Sequence, residues 1–116
     1  MNVQEFYAEI GEDYFEIFNR IGKDEFIVKY LRKFLTDNYF GMLEKAIKEQ
    51  NWQEGFAMAH NMKGLALNLG LSSLKDVSSV LCEALRGGTP NVDVDSMFSD
   101  VEAVYMRIAD KIALID

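Results

Sequence analysis

Apolar residues recur along the chain at spacings of three and four, the period of a helix with one buried face. From Val3 to Ile21 the series includes Phe6, Ile10, Tyr14, Ile17, Phe18 and Ile21, and Gly11 is placed to divide it into two short pieces. Gly22 fits a C-terminal stop and Asp24 an N-cap for the next helix. Ile27, Leu31, Phe34, Leu35, Met42, Leu43, Ala46 and Ile47 then mark the longest helix, from Asp24 to about Glu49, with Gly41 as the point where it would bend. Asn51-Trp52-Gln53-Glu54 has the pattern of a capping box, so another helix starts at Trp52 and runs to about Leu69, where Gly70 supplies the residue beyond its end. Ser72 or Ser73 caps the next one, which carries Leu74, Val77, Val80, Leu81, Ala84 and Leu85 and stops at Gly87-Gly88. The last begins near Val94 or Asp95 and reaches Ala113 or beyond on the stripe Met97, Val101, Val104, Tyr105, Ile108 and Ile112. No segment alternates with a period of two between hairpin turns, so strands are not expected. The pattern predicts an all-α protein: an antiparallel up-down-up-down four-helix bundle with an additional N-terminal helix packed across it.

Composition narrows the reading. A chain of 116 residues is one domain's worth, so residues 1–116 are read as a single helical domain. With 49% apolar and 27% charged residues, the balance is globular and not that of a disordered acidic tail. The net charge of −7 argues against a nucleic-acid binder. One cysteine, Cys82, excludes an internal disulfide, and together with one histidine, His60, it leaves no ligand set for a Cys/His zinc site. No metal site is expected elsewhere. The six methionines are scattered as core filler, and Asp93 and Asp95 suit the start of a helix better than a cation. Cys82 reads as a buried small apolar group, and Trp52 as a packing anchor. The N-terminus lacks a basic start followed by an apolar run, and no stretch approaches the roughly 20 apolar residues of a membrane span. The expectation is a cytoplasmic protein bound to no membrane, and the Met1 and Asp116 ends favour a free-standing one.

Charge is unevenly spread. From Gly55 to Lys75 there are two lysines, Lys63 and Lys75, and no acid, so all 19 acids lie outside the 21 residues that surround the only histidine. An anionic group would find such a window favourable. On a helix from Trp52 to Leu69, Phe56, Ala59, Met62, Ala66 and Leu69 share the core face. His60, Lys63, Gly64 and Leu67, at offsets of zero, three, four and seven, share a strip off that face. Gly64 carries the most information. A glycine inside a helix costs about 1 kcal/mol relative to alanine, and alanine would serve an exposed face equally well. Its missing side chain implies close approach to the imidazole, unless Gly64 lies at a tight helix crossing.

Ala59-His60-Asn61-Met62-Lys63-Gly64-Leu65-Ala66-Leu67-Asn68-Leu69-Gly70 resembles the signature of the histidine-containing phosphotransfer (HPt) domains, relay modules of multistep two-component signalling: a His followed by x-x-Lys-Gly, then a Gly that ends the helix. Two features depart from the commonest pattern. Met62 stands where Leu is usual, and Leu65 and Leu67 stand where small residues are common. The resemblance implies that His60 is the phosphorylated nucleophile, with Nε2 as the reacting nitrogen. Lys63 would be the cation that stabilises phosphoryl charge, Gly64 the residue that gives access, and Gly70 the structural end of the helix.

The resemblance also implies the chemistry. A neutral imidazole lone pair attacks the phosphorus of a receiver-domain aspartyl phosphate, and the phosphoryl group later passes to another receiver aspartate. The implied partners are receiver domains of response regulators or hybrid sensor kinases. The expected state is monomeric. No cofactor is expected on this chain, since the receiver brings the divalent metal. No glycine-rich nucleotide loop or kinase signature is present, so ATP binding is not expected. Docking would use Ala57, Asn61, Gly64, Leu67, Asn68 and Leu71, an apolar centre with a polar rim, and the long second helix would supply its other half. Two other readings stay open: an HPt-like module that docks receivers without accepting phosphate, and the phosphoryl-accepting domain of a larger kinase.

Overall fold

A computed structural model describes all 116 residues. It holds seven helices and no strand: α1 (Val3–Glu9), α2 (Tyr14–Ile21), α3 (Asp24–Thr36), α4 (Tyr39–Lys48), α5 (Trp52–Asn68), α6 (Ser72–Leu85) and α7 (Val94–Ile112). α4, α5, α6 and α7 form the bundle. α5 packs between α4 and α6, α7 packs against both α6 and α4, and the ring closes. Turns of only three residues join α4 to α5 and α5 to α6, so these packed neighbours run antiparallel. α3 continues the row of α4 along α7, and α1 and α2 pack over α3, with α1 also touching α7. A hydrophobic cluster draws buried residues from every helix, including Phe6, Ile17, Leu31, Leu43, Met62, Leu81 and Ile108. Burying each such side chain contributes about 1.5–3 kcal/mol.

The helix ends show why these segments stop where they do. Asn2 and Glu5 make a reciprocal capping box at α1, and Asp13 and Asp93 cap α2 and α7 by accepting backbone N–H groups of the first turn. Gly22 (φ 91°) and Gly70 (φ 70°) take the left-handed conformation that ends a helix.

Four expectations are corrected. The predicted helix from Asp24 to Glu49 is two helices, divided not at Gly41 but at Asn38, a left-handed residue (φ 57°, ψ 32°). Asparagine tolerates this conformation where most residues do not. Gly41 stands beside the break, and the Asn38 side chain occupies the space a β-carbon there would fill. Tyr105 of α7 bridges the break, its ring 5.9 Å from that of Phe34 and 4.4 Å from that of Phe40. Asp24 is not an N-cap, since Lys23 holds that position without a side-chain bond, and the Asp24 carboxylate accepts the Tyr14 hydroxyl. Neither Ser72 nor Ser73 caps α6. The Glu12 carboxylate, from the α1–α2 connection, accepts the Ser72 N–H instead. Val80, expected inward, is 54% exposed, and α6 turns Ser78 inward beside Cys82, which is buried as expected.

Candidate functional site

α5 is held from both sides and at both ends. Asn51 caps it by accepting the Glu54 N–H at 3.2 Å. Near that end Gly55 is buried. A β-carbon there would lie 3.3 Å from Leu85 Cδ1 of α6 and 3.6 Å from Ile47 Cδ1 of α4, so this glycine is what lets three helices approach closely. At the other end the Leu71 N–H donates to Ala66 at 2.8 Å and the Gly70 N–H to Leu67 at 3.3 Å, the paired bonds of a Schellman turn. Tyr7 donates its hydroxyl to the Leu69 carbonyl at 2.6 Å, and Arg20 donates to the carbonyls of Leu67 (3.0 Å) and Asn68 (2.8 Å). The carbonyls that a helix end leaves without partners are thus taken up by α1 and α2.

On this rod, Ala59, Met62, Ala66 and Leu69 face the core, and His60, Asn61, Gly64, Leu67 and Asn68 face outward. Ala57 lies half-buried on the same strip. Gly64 is exposed, and a β-carbon there would meet nothing within 4 Å, so no tight crossing explains it. Lys63, one turn from His60, is half-buried and forms no ion pair. Its charge reaches α6. Hydrogen bonding from Arg86 holds the Glu83 carboxyl below its usual range and Lys63 adds to that pull, while burial pushes the Cys82 thiol up and Lys63 partly opposes it.

Leu71 does not join the strip. It is 1% exposed and belongs to the core, because the Schellman turn folds its second outer residue back onto the helix. Phe56 packs against the core as expected, but at its edge. It is only half-buried, and its ring stacks on that of His60 at 6.0 Å between centroids and 20° between planes. The Arg86 guanidinium lies 5.1 Å from the centre of the Phe56 ring. Position 56 is one helical turn before His60, a spacing legible in the sequence; the contact with Arg86 crosses between helices and has no local signal. Beside the strip, on the side expected of the second helix, lies α3. Tyr30, Lys33, Phe34 and Asp37 line a groove of about 380 Å³ with Leu65 and Asn68 of α5, and Arg20 and Ile21 of α2 close it.

The scan against family models matches the Hpt domain over residues 30–114. The chain belongs to the Hpt domain family. This makes it a phosphotransfer-related signalling module of the two-component type. Comparison with curated proteins gave no match. Comparison with solved structures also gave none. The matched region of this Hpt domain begins within α3, so α1 and α2, which hold the far end of the histidine helix, lie before it. No helix is long and apolar enough to cross a membrane.

Proposed function

We propose that this Hpt domain accepts a phosphoryl group on His60 from a receiver aspartyl phosphate and passes it to another receiver aspartate. The observation that carries the reading is the open space at Gly64 beside an exposed imidazole on a capped helix. Side chains on a helix lean toward its N-terminus, so a side chain at position 64 would lie over His60. Glycine leaves that side of the ring free.

In the accepting step, the unprotonated imidazole nitrogen donates its lone pair to phosphorus, forming a P–N bond. The P–O bond to the receiver aspartate breaks, and the carboxylate leaves with the electron pair. The reverse sequence on a second receiver regenerates the imidazole. Phosphoryl transfer asks chiefly for alignment and charge stabilisation. Lys63, free of any carboxylate partner, supplies a positive charge one turn away. The α5 strip carries no acid of its own, and the nearby Glu83 carboxylate of α6 is paired with Arg86. Ala57, Asn61, Gly64, Leu67 and Asn68 form the docking centre, and the groove against α3 extends it. The divalent metal of the reaction belongs to the receiver, and this chain contributes no cofactor.

The test is incubation with a phosphorylated receiver. The expected result is an acid-labile, base-stable label that is absent in His60→Gln. Lys63→Ala should slow labelling by about tenfold or more with the melting curve unchanged. Label retained in His60→Gln would move the chemistry elsewhere. A stable receiver complex without label would establish the binding-only alternative.

A further inference from the structure

The reactive ring has an aromatic floor. Because helical side chains lean toward the N-terminus, His60 leans toward position 56, and there the structure places the ring of Phe56, its centroid 6.0 Å from that of His60 and its plane 20° from parallel. One turn further on, a β-carbon at Gly64 would meet nothing within 4 Å. An exposed imidazole with no wall on either side samples several rotamers. One with a wall on one side holds its plane and presents its other face and edge to a partner. Phe56 is in turn held from α6: the Arg86 guanidinium lies over its ring, and Arg86 is itself fixed by two contacts to Glu83, Nε to Oε2 at 3.2 Å and an Nη2 contact to Oε1 at 3.0 Å. The order Glu83, Arg86, Phe56, His60 thus runs from the end of α6 to the nucleophile.

We infer that Phe56, held by Arg86, is a positioning residue that fixes the plane of the His60 imidazole for phosphoryl acceptance. The inference rests on the proposed role of His60. It gives Phe56 a purpose that its burial does not. The ring is only half-buried, and a leucine would fill the same space against the core without offering a flat face. Stacked aromatic pairs at this separation are favourable, and alignment of the attacking atom is the larger part of what such a transfer needs.

The experiment uses the full chain and phosphoramidate, a donor too small to need docking; its P–N bond breaks, the imidazole–phosphorus bond forms, and ammonia leaves. Phe56→Leu should be labelled about threefold to tenfold more slowly, the range that loss of one stacking contact represents. Phe56→Tyr, which keeps the flat face, should restore the rate. In the NMR spectrum, the ring protons of His60 should move downfield in Phe56→Leu and stay in place in Phe56→Tyr, a signature that lost core packing does not produce. Where Phe56→Leu melts early, Arg86→Gln is read in its place, since Arg86 is exposed; it should slow labelling and shift the same protons in the same direction, and no change in either overturns the inference. Equal labelling of wild type and Phe56→Leu, or unchanged His60 ring shifts, overturns the role of Phe56 alone. Absence of label on the wild-type chain overturns the phosphoryl-accepting reading and the role of Phe56 with it.

Discussion

Two glycines of one helix meet opposite surroundings. Gly55 is pressed between α4 and α6, whereas Gly64 faces empty space. A helical glycine costs about 1 kcal/mol relative to alanine, so Gly64→Ala should raise stability by about 0.5–1 kcal/mol in urea unfolding, while slowing labelling of His60. Gly55→Ala should gain less or lose stability, because its β-carbon would press on Leu85. If Gly64→Ala is labelled at the wild-type rate, access is not what the glycine provides. At this scale much of the site is legible in the sequence. His60, Lys63 and Gly64 are related by helical spacing alone, and one helix is enough to bring them together. Phe56 is not legible in this way, because an apolar residue at the edge of a stripe looks the same in sequence as one at its centre. Leu71 is not either, because a turn, not a helix face, decides where it points.

Between elements, the decisive contacts are those that close helix ends. The buried Tyr7 hydroxyl satisfies the Leu69 carbonyl. Tyr7→Phe would leave that carbonyl without its partner and should cost about 1–3 kcal/mol. Burial, and next the charge of Glu12, hold the Tyr7 phenol well above its ordinary range. A folded pKa raised above the unfolded value near ~10 means the neutral phenol belongs to the folded state. Its contribution is complete below about pH 10 and is lost as pH rises through the folded value. Urea titrations across that range should therefore show alkaline loss of stability, and Tyr7→Phe should make the loss shallower; an unchanged slope would exclude Tyr7 as a source. Most helices are readable from periodicity and caps, down to the Trp52 start. The break at Asn38 is not, since the apolar stripe runs on through it and only a polar Asp37-Asn38 pair marks the place. Nor is the cap of α6 readable, because Glu12 reaches Ser72 from 60 residues away.

For the molecule as a whole, the N-terminal helices are part of what keeps the bundle folded. Removal of residues 1–22 would strip away Val3, Phe6, Tyr7, Ile10 and Ile17, all buried. At about 1.5–3 kcal/mol each, their loss rivals the total stability of about 5–15 kcal/mol typical of a domain. A chain beginning at residue 23 should therefore lose its cooperative melt and its near-ultraviolet dichroism, and a sharp native-like transition would show that α1 and α2 are dispensable. The all-α bundle is legible from sequence because each helix declares its own apolar face. How α1 and α2 seat on the end of α5 is not, because that depends on single hydrogen bonds between distant residues. The floor under His60 and the opening beside Gly64 have a consequence for traffic. One ring with one open side admits one visitor. In the relay proposed above, a donor and an acceptor would not sit there together, so each delivery would be two separate meetings with a departure between them. On that reading the protein would work as a courier and not as a meeting place, and whichever partner lingers longest would set the pace for both.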